Sequence, residues 1–191
     1  MGIDSLNASA RAVFLDRDGV LNEAVIRDGK PYPPATAADV VIAADAPAAL
    51  EALKRRGLAL IVVTNQPDVA RGAQTVEAVQ AIHDRIRLEL PVDDFLSCFH
   101  DDRDGCSCRK PQPGLIVEGA ERHGVNPHSS FMIGDRWRDI DAGKRAGCRT
   151  VWIDRGYRER SPSQLPDARV GSLSEAVTWI LQQIDSEENG T

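Results

Sequence analysis

Phe14-Leu15-Asp16-Arg17-Asp18-Gly19-Val20-Leu21-Asn22 is an apolar run that ends in two carboxylates one residue apart, with a glycine directly after them. The residues Ala12 to Leu15 suit a strand covered on both faces. Open α/β sheets put their ligand sites at the carboxyl ends of such strands, and period-two geometry sends Asp16 and Asp18 to the same side. Two like charges so close repel unless a cation or a proton separates them, so the pair points to a divalent metal or to split acid and base roles. A solvated strand end with an Asp-Gly turn would leave the same residues, so other segments must decide.

Leu58-Ala-Leu-Ile-Val-Val-Thr64-Asn65-Gln66 is a second apolar strand, ending in a hydroxyl and two amides. Arg109-Lys110-Pro111 follows later, and then Ser130-Phe-Met-Ile-Gly134-Asp135-Arg-Trp-Arg-Asp139, a third strand ending in Gly-Asp with another Asp four residues on. Taken singly, Asp135 and Asp139 also suit acids at a helix N-terminus, and Lys110 suits a solvated lysine.

Apolar runs alternate with helix-like segments, the pattern of a parallel sheet with crossover helices. Asp45 with Pro47 opens a helix that stops at Gly57, and Thr75 caps one carrying Val76, Val79, Ile82, Ile86 and Leu90 at helical spacing. Further helices are predicted from Pro113 to His123, closed by Gly124, and from Asp139 to Ala146, stopped by Gly147. Phe95 to Phe99 is a short strand, and Arg149 to Ile153 is the last clear one. A final helix, capped by Ser172 or Ser174, runs to about Ile184. These elements make one domain over residues 1–185, with 186–191 a frayed tail. Between Asp18 and Thr64 the chain holds a Pro-rich loop, Arg27 to Pro34, and one helix, which leaves no room for a separate cap domain.

With 191 residues and 42% hydrophobic composition the chain can bury one good core. A net charge of −6 argues against a nucleic-acid partner, and Arg155, Arg158 and Arg160 read as a solvated loop. Residues Met1 to Arg11 have no basic start and no apolar stretch, and no apolar run approaches the ~18 residues of a membrane span. Position 6 is Leu6 where a myristoylation signal wants Ser or Thr. The expectation is a cytoplasmic monomer without membrane contact.

Cys98, His100, Cys106 and Cys108 lie within eleven residues. Three thiolates and one imidazole are a complete tetrahedral set for structural zinc; buried free cysteines and a redox pair are the alternatives. Zinc here would fold the loop over 98–108 and fix Arg109 and Lys110 just after it. Cys148, between a helix-ending Gly147 and a strand, reads as an inert core residue.

Nucleophile, hydroxyl, lysine and acid occur in the order and context of the haloacid dehalogenase superfamily, subfamily III, which the chain resembles over nearly its whole length. The resemblance implies an α/β, Rossmann-like three-layer sandwich with a parallel central sheet, capless, with the site covered only by loops. It implies phosphomonoester hydrolysis in which Asp16 attacks phosphorus. Asp18 then serves as acid and base, with its pKa held above that of Asp16, Thr64 donates to the phosphoryl group, and Lys110 neutralises it. Mg²⁺ would be held by Asp16, Asp135 and the backbone carbonyl of Asp18, with Asp139 outside or beside the first set.

A zinc loop directly before Cys108-Arg109-Lys110-Pro111 is similar to two families of this superfamily, the heptose-bisphosphate phosphatases and the histidinol-phosphate phosphatases. Thr64-Asn65-Gln66 followed by Val69-Ala70-Arg71-Gly72 favours the first. The short gap between His100 and Cys106 favours the second. On the first reading Asn65, Gln66, Arg71 and Arg109 bind a small phosphorylated sugar, and the loop bearing Tyr32 bounds it. The competing class is a catalytically silent zinc-stabilised scaffold, which would require a broken motif.

Overall fold

The computed structural model describes residues 10–190; the amino-terminal reading over 1–9 and the last tail residue lie outside them. Strands β1 (Ala12–Leu15), β4 (Ala59–Asn65), β5 (Asp94–Cys98), β6 (Phe131–Gly134), β7 (Arg149–Ile153) and β8 (Ala168–Val170) form one sheet in the order β5-β4-β1-β6-β7-β8. Every pairing in it is parallel. The chain runs outward from β1 to β4 and β5, then returns to the other side of β1 for β6, so the strand order reverses at β1. That reversal is where open α/β sheets form their ligand crevice.

Alternation along the strands builds the two faces. Val13 and Leu15 of β1 enter a core with α1 (Ala46–Arg55), α2 (Val76–Arg87) and α5 (Leu173–Asn189). Ala12 and Phe14 enter the opposite core with α3 (Gly114–His123) and α4 (Trp137–Ala146), where Cys148 also lies buried. The result is the three-layer α/β sandwich expected from the sequence. Among the described residues, no helix is long and apolar enough to cross a membrane.

Five local readings need correction. The segment read as a Pro-rich loop is an antiparallel hairpin, β2 (Val25–Arg27) and β3 (Lys30–Tyr32). Its two-residue turn, Asp28-Gly29, has φ of 51° and 74°, the positive values a tight hairpin turn requires. Strand β8 was not foreseen; its three residues are too short to show a period. Helix α4 starts two residues before Asp139, at Trp137. Helix α5 runs five residues past Ile184, because its polar end is tied down: Arg56 pairs with Asp185 and Glu188, and Glu187 receives Arg11 and Arg149. Asp45 does precede α1, yet its carboxylate accepts from Ser174 N of α5 (2.9 Å) instead of capping its own helix.

Candidate active site

The carboxyl ends of β1, β4 and β6 meet in one pocket of roughly 230 Å³ whose walls include Asp16, Asp18, Thr64, Lys110 and Asp139. Asp16 follows β1 immediately, and its amide donates to Ile133 O of β6 at 2.9 Å, which fixes the backbone where the strand ends. Its Oδ1 lies 2.8 Å from Lys110 Nζ. The same ammonium donates to Val63 O (2.7 Å) and pairs with Asp139 Oδ1 (2.7 Å). Lys110 is 2% exposed, so the solvated reading fails. Burial works against its ammonium, but Asp139 and Asp16 outweigh that and raise its pKa. Asn65 clamps the lysine's backbone from both sides, donating to Lys110 O (2.9 Å) and accepting from Lys110 N (3.0 Å).

Asp18 sits two residues on and is gripped by its neighbour. Arg17 donates to it through Nε (3.1 Å) and Nη2 (2.9 Å), Asn22 through Nδ2 (3.0 Å) and Gln66 through Nε2 (2.9 Å). The Gln66 amide also reaches Thr64 Oγ1 at 2.9 Å, so Thr64 accepts there and its own proton remains available to a ligand.

Asp16, Asp135 and Asp139 bring carboxylate oxygens within 4.8 Å of one another, all three buried. Neither oxygen of Asp135 has a hydrogen-bond donor in bonding geometry. Its backbone is fixed by Trp152, whose indole donates to Asp135 O at 3.1 Å. Burial, then the charges of Asp16 and Asp139, drive its pKa well above the carboxylate range. Tyr157 stands beside it, and burial together with Asp135 raises the phenol's pKa. Orphaned hard oxygens among like charges are a donor set that fits a divalent cation. Gly19 completes this corner: at φ 87° a Cβ would lie 1.8 Å from Asp135 Oδ2.

A second cluster forms just outside the pocket. Cys98 Sγ lies 3.0 Å from Cys108 Sγ and 3.7 Å from Cys106 Sγ, while His100 Nδ1 is 3.3 Å from Cys108 and 3.6 Å from Cys98. Four donors converge with no fifth Cys, His, Asp or Glu grouped with them among the described residues, which fits a closed tetrahedral metal site. No disulfide links them.

Comparison with known proteins agrees with this geometry. A HAD-hydrolase-like family model matches residues 107–176. The chain is 33% identical over 187 residues to the D-glycero-beta-D-manno-heptose-1,7-bisphosphate 7-phosphatase of Bordetella bronchiseptica, covering 93% of this chain and 99% of the relative. It is 31% identical to the corresponding alpha enzyme of Photorhabdus laumondii, over 81% of this chain and 88% of the relative. Among solved structures, the D,D-heptose 1,7-bisphosphate phosphatase of B. bronchiseptica, complexed with magnesium and phosphate, matches with a TM-score of 0.73 at 26% identity, covering 91% of this chain and 99% of that one.

The chain belongs to the haloacid dehalogenase-like phosphatases.

As a phosphatase of this superfamily the chain departs from expectation at several residues. The pKa order of the two aspartates is inverted. Burial and Asp139 raise Asp16 to about 6, with Lys110 pulling it back. Burial also pushes Asp18 up, but Arg17, with help from Asn22 and Gln66, prevails and holds it below the usual range. Asn65 lines the pocket while its amide holds Lys110, and Gln66 is wholly buried, with its amide on Asp18 and Thr64. Arg71 faces the pocket but is held by Asp101 (Nη2 to Oδ1, 2.7 Å) and Asp68 (3.3 Å), bracing the Cys/His loop against the segment after β4.

Arg109 lies on the pocket wall, tied to Asp102 at 2.8 Å. Tyr32 does border the pocket, carried there by the hairpin together with Lys30 and Pro31, so the cover is more than loops. The sequence reading missed Arg17, Asn22, Arg136 and Arg138. Of these, only Arg17 carried a signal, as an arginine wedged between two carboxylates.

Proposed function

We propose that the chain removes the 7-phosphate of D-glycero-D-manno-heptose 1,7-bisphosphate, using magnesium and an aspartyl-phosphate on Asp16. The observation that carries this reading is the buried Asp16 carboxylate, held in place by Lys110 at the meeting point of three strand ends. Hydrolysis needs an aimed nucleophile, a proton for the leaving oxygen and positive charge for the phosphoryl oxygens. Asp16 is the nucleophile. Lys110 orients it and contributes charge, Thr64 donates its free hydroxyl proton, and Asp18, ionised while Arg17 grips it, takes up a proton as substrate binds, gives it to the leaving oxygen and regains one from the attacking water.

Asp16, Asp135 and the backbone carbonyl of Asp18 would hold Mg²⁺, beside an Asp139 already committed to Lys110. The cation supplies charge compensation for the gathered carboxylates and the phosphoryl oxygens. Zn²⁺ would be held by Cys98, His100, Cys106 and Cys108 in a structural role. A cytoplasmic setting belongs to the same reading, since it keeps these thiols reduced.

The relatives named above include phosphatases of both the beta and the alpha bisphosphate, and that shared sugar supports the substrate class without choosing an anomer. Histidinol phosphate is the second reading, favoured by the five residues between His100 and Cys106. Phosphate release should be measured over both heptose bisphosphates, their monophosphates and histidinol phosphate. The proposal expects a heptose bisphosphate to give the highest kcat/KM. A tenfold or larger preference for histidinol phosphate would transfer the assignment.

A further inference from the structure

The loop that follows β7 belongs to none of the motifs that build the pocket, yet it is tied to the corner where Asp135 sits. Asp154 opens it: its amide donates to Val170 O of β8 (2.9 Å), and its Oδ1 accepts from Gly156 N (3.0 Å). Gly156, at φ 68°, turns the chain back toward the sheet end. Arg155 reaches Gly19 O through Nε (3.2 Å) and Nη2 (3.0 Å), and Arg158 N donates to Gly29 O of the hairpin turn at 3.3 Å. Tyr157 lies between these two anchors.

Its hydroxyl comes to the carboxylate of Asp135. The point where a Gly19 Cβ would stand is 3.0 Å from Tyr157 Oη and 1.8 Å from Asp135 Oδ2, so the two oxygens flank one small space that the glycine leaves open. Asp135 is 2% exposed, and neither of its oxygens has a donor in bonding geometry. The nearby cations are turned elsewhere, Arg155 to Gly19 O and Arg136 to Glu159. Trp152 of β7 already holds the backbone of Asp135, so the strand grips the residue's main chain and the loop after it brings a hydroxyl to its side chain. A phenol, with a pKa of about 10, keeps its proton at neutral pH and can donate it to a carboxylate.

We infer that Tyr157 is a positioning residue for Asp135, its hydroxyl donating to Oδ2 and leaving Oδ1 to the cation. The inference rests on the magnesium reading above. Magnesium demands near-ideal octahedral geometry, so a carboxylate free to rotate is a poorer ligand than one whose other oxygen is tied. The anchors at Arg155 and Arg158 hold the tyrosine to that task from either side.

The test compares the wild-type protein with Tyr157→Phe, which keeps the ring and loses the hydroxyl, and with Arg155→Met, which keeps the hydroxyl and loosens the loop. Two quantities are read: the magnesium concentration giving half-maximal phosphate release from p-nitrophenyl phosphate, and the rise in Tm that magnesium produces. In Tyr157→Phe the half-maximal concentration should increase ~10-fold or more, as for losing an outer partner of a metal ligand, and the Tm rise at a fixed magnesium concentration should shrink. Saturating magnesium should restore kcat to near the wild-type value, and Tm in EDTA should match the wild type. Arg155→Met should shift both quantities in the same direction by a smaller factor, and it carries the test should Tyr157→Phe fold poorly. A wild type that responds to magnesium and a Tyr157→Phe protein with the same response overturn this inference alone. So does a loss of kcat that saturating magnesium does not restore. A wild type that neither needs magnesium nor is stabilised by it overturns the inference together with the magnesium reading.

Discussion

Lys110 and Asp16 form a buried ion pair of 2.8 Å at the carboxyl end of β1, although 94 residues separate them in the chain. The ammonium fills a space bounded by three acceptors, Asp16, Asp139 and Val63 O. Charge alone should therefore not suffice at this position. Lys110→Arg should lose at least ~10²-fold in phosphate release, because a guanidinium cannot enter so compact a set of acceptors without moving Asp16. Lys110→Met should lose as much and also fall in Tm, since a buried pair broken on one side leaves uncompensated charge. A Lys110→Arg protein with wild-type rates would contradict this account of the lysine.

Gly19 offers a sharper probe of the carboxylate cluster. A Cβ there would overlap Asp135 Oδ2, and the φ of 87° is one that side chains resist. Gly19→Ala should raise the magnesium concentration needed for half-maximal activity by ~10-fold or more and reduce the stabilisation that magnesium gives in thermal unfolding. Unchanged magnesium dependence by both measures would show that Asp135 has no part in holding the ion.

The Cys/His cluster should retain close to one equivalent of zinc per chain through purification without added metal. Cys106→Ser should lose that zinc and unfold at lower temperature, because structural zinc contributes folding free energy directly. Cys148, which lies in the core with its thiol pushed up to about 12 by burial, serves as the control for metal content. Equal zinc loss from Cys106→Ser and Cys148→Ser, or no zinc in the wild type, would remove the site.

His83 predicts a pH effect on stability. It is buried in α2, stacked 4.5 Å from the Phe95 ring, and its pKa is lowered to about 3, first by burial and then by Arg17. A histidine kept neutral in the fold but free to ionise when unfolded gives the unfolded state more protons at acid pH. Its contribution is intact above the unfolded pKa near 6.5 and is lost as pH falls from there toward 3. At pH 5 the loss is about 2 kcal/mol. His83→Phe should lose less stability than the wild type between pH 7 and pH 5 in urea unfolding. Parallel losses in the two proteins would contradict the assignment.

The central strands were legible in the sequence because buried parallel strands are continuous apolar runs, and β1, β4 and β6 each end in the polar residues that meet in the pocket. Helix α2 was legible too, since Thr75 caps it as its position suggested, accepting from Ala78 N at 3.1 Å. The hairpin was hidden by Pro31 and by the charges of Arg27, Asp28 and Lys30, although Asp28-Gly29 is itself a hairpin signal. Helix α5 looked frayed past Ile184 because its end is polar, and only the folded chain brings Arg56, Arg11 and Arg149 to it. Asp16 and Asp18 were legible as a pair, but their order of proton affinity depends on which side Arg17 turns to, and residue type does not encode that. Arg138 carries no motif at all; only the fold brings it to Asp102, 36 residues away in sequence.

Whether Asp16 takes the phosphoryl group is tested most directly by acid-quenching the protein during turnover of heptose 1,7-bisphosphate with magnesium and analysing its peptides by mass spectrometry. The account predicts one phosphoryl group on the peptide containing Asp16, localised to that residue, absent without substrate and absent from Asp16→Asn, whose phosphate release should be at least ~10³-fold slower. Turnover by Asp16→Asn at the wild-type rate, or a phosphoryl group found on another residue, would contradict it.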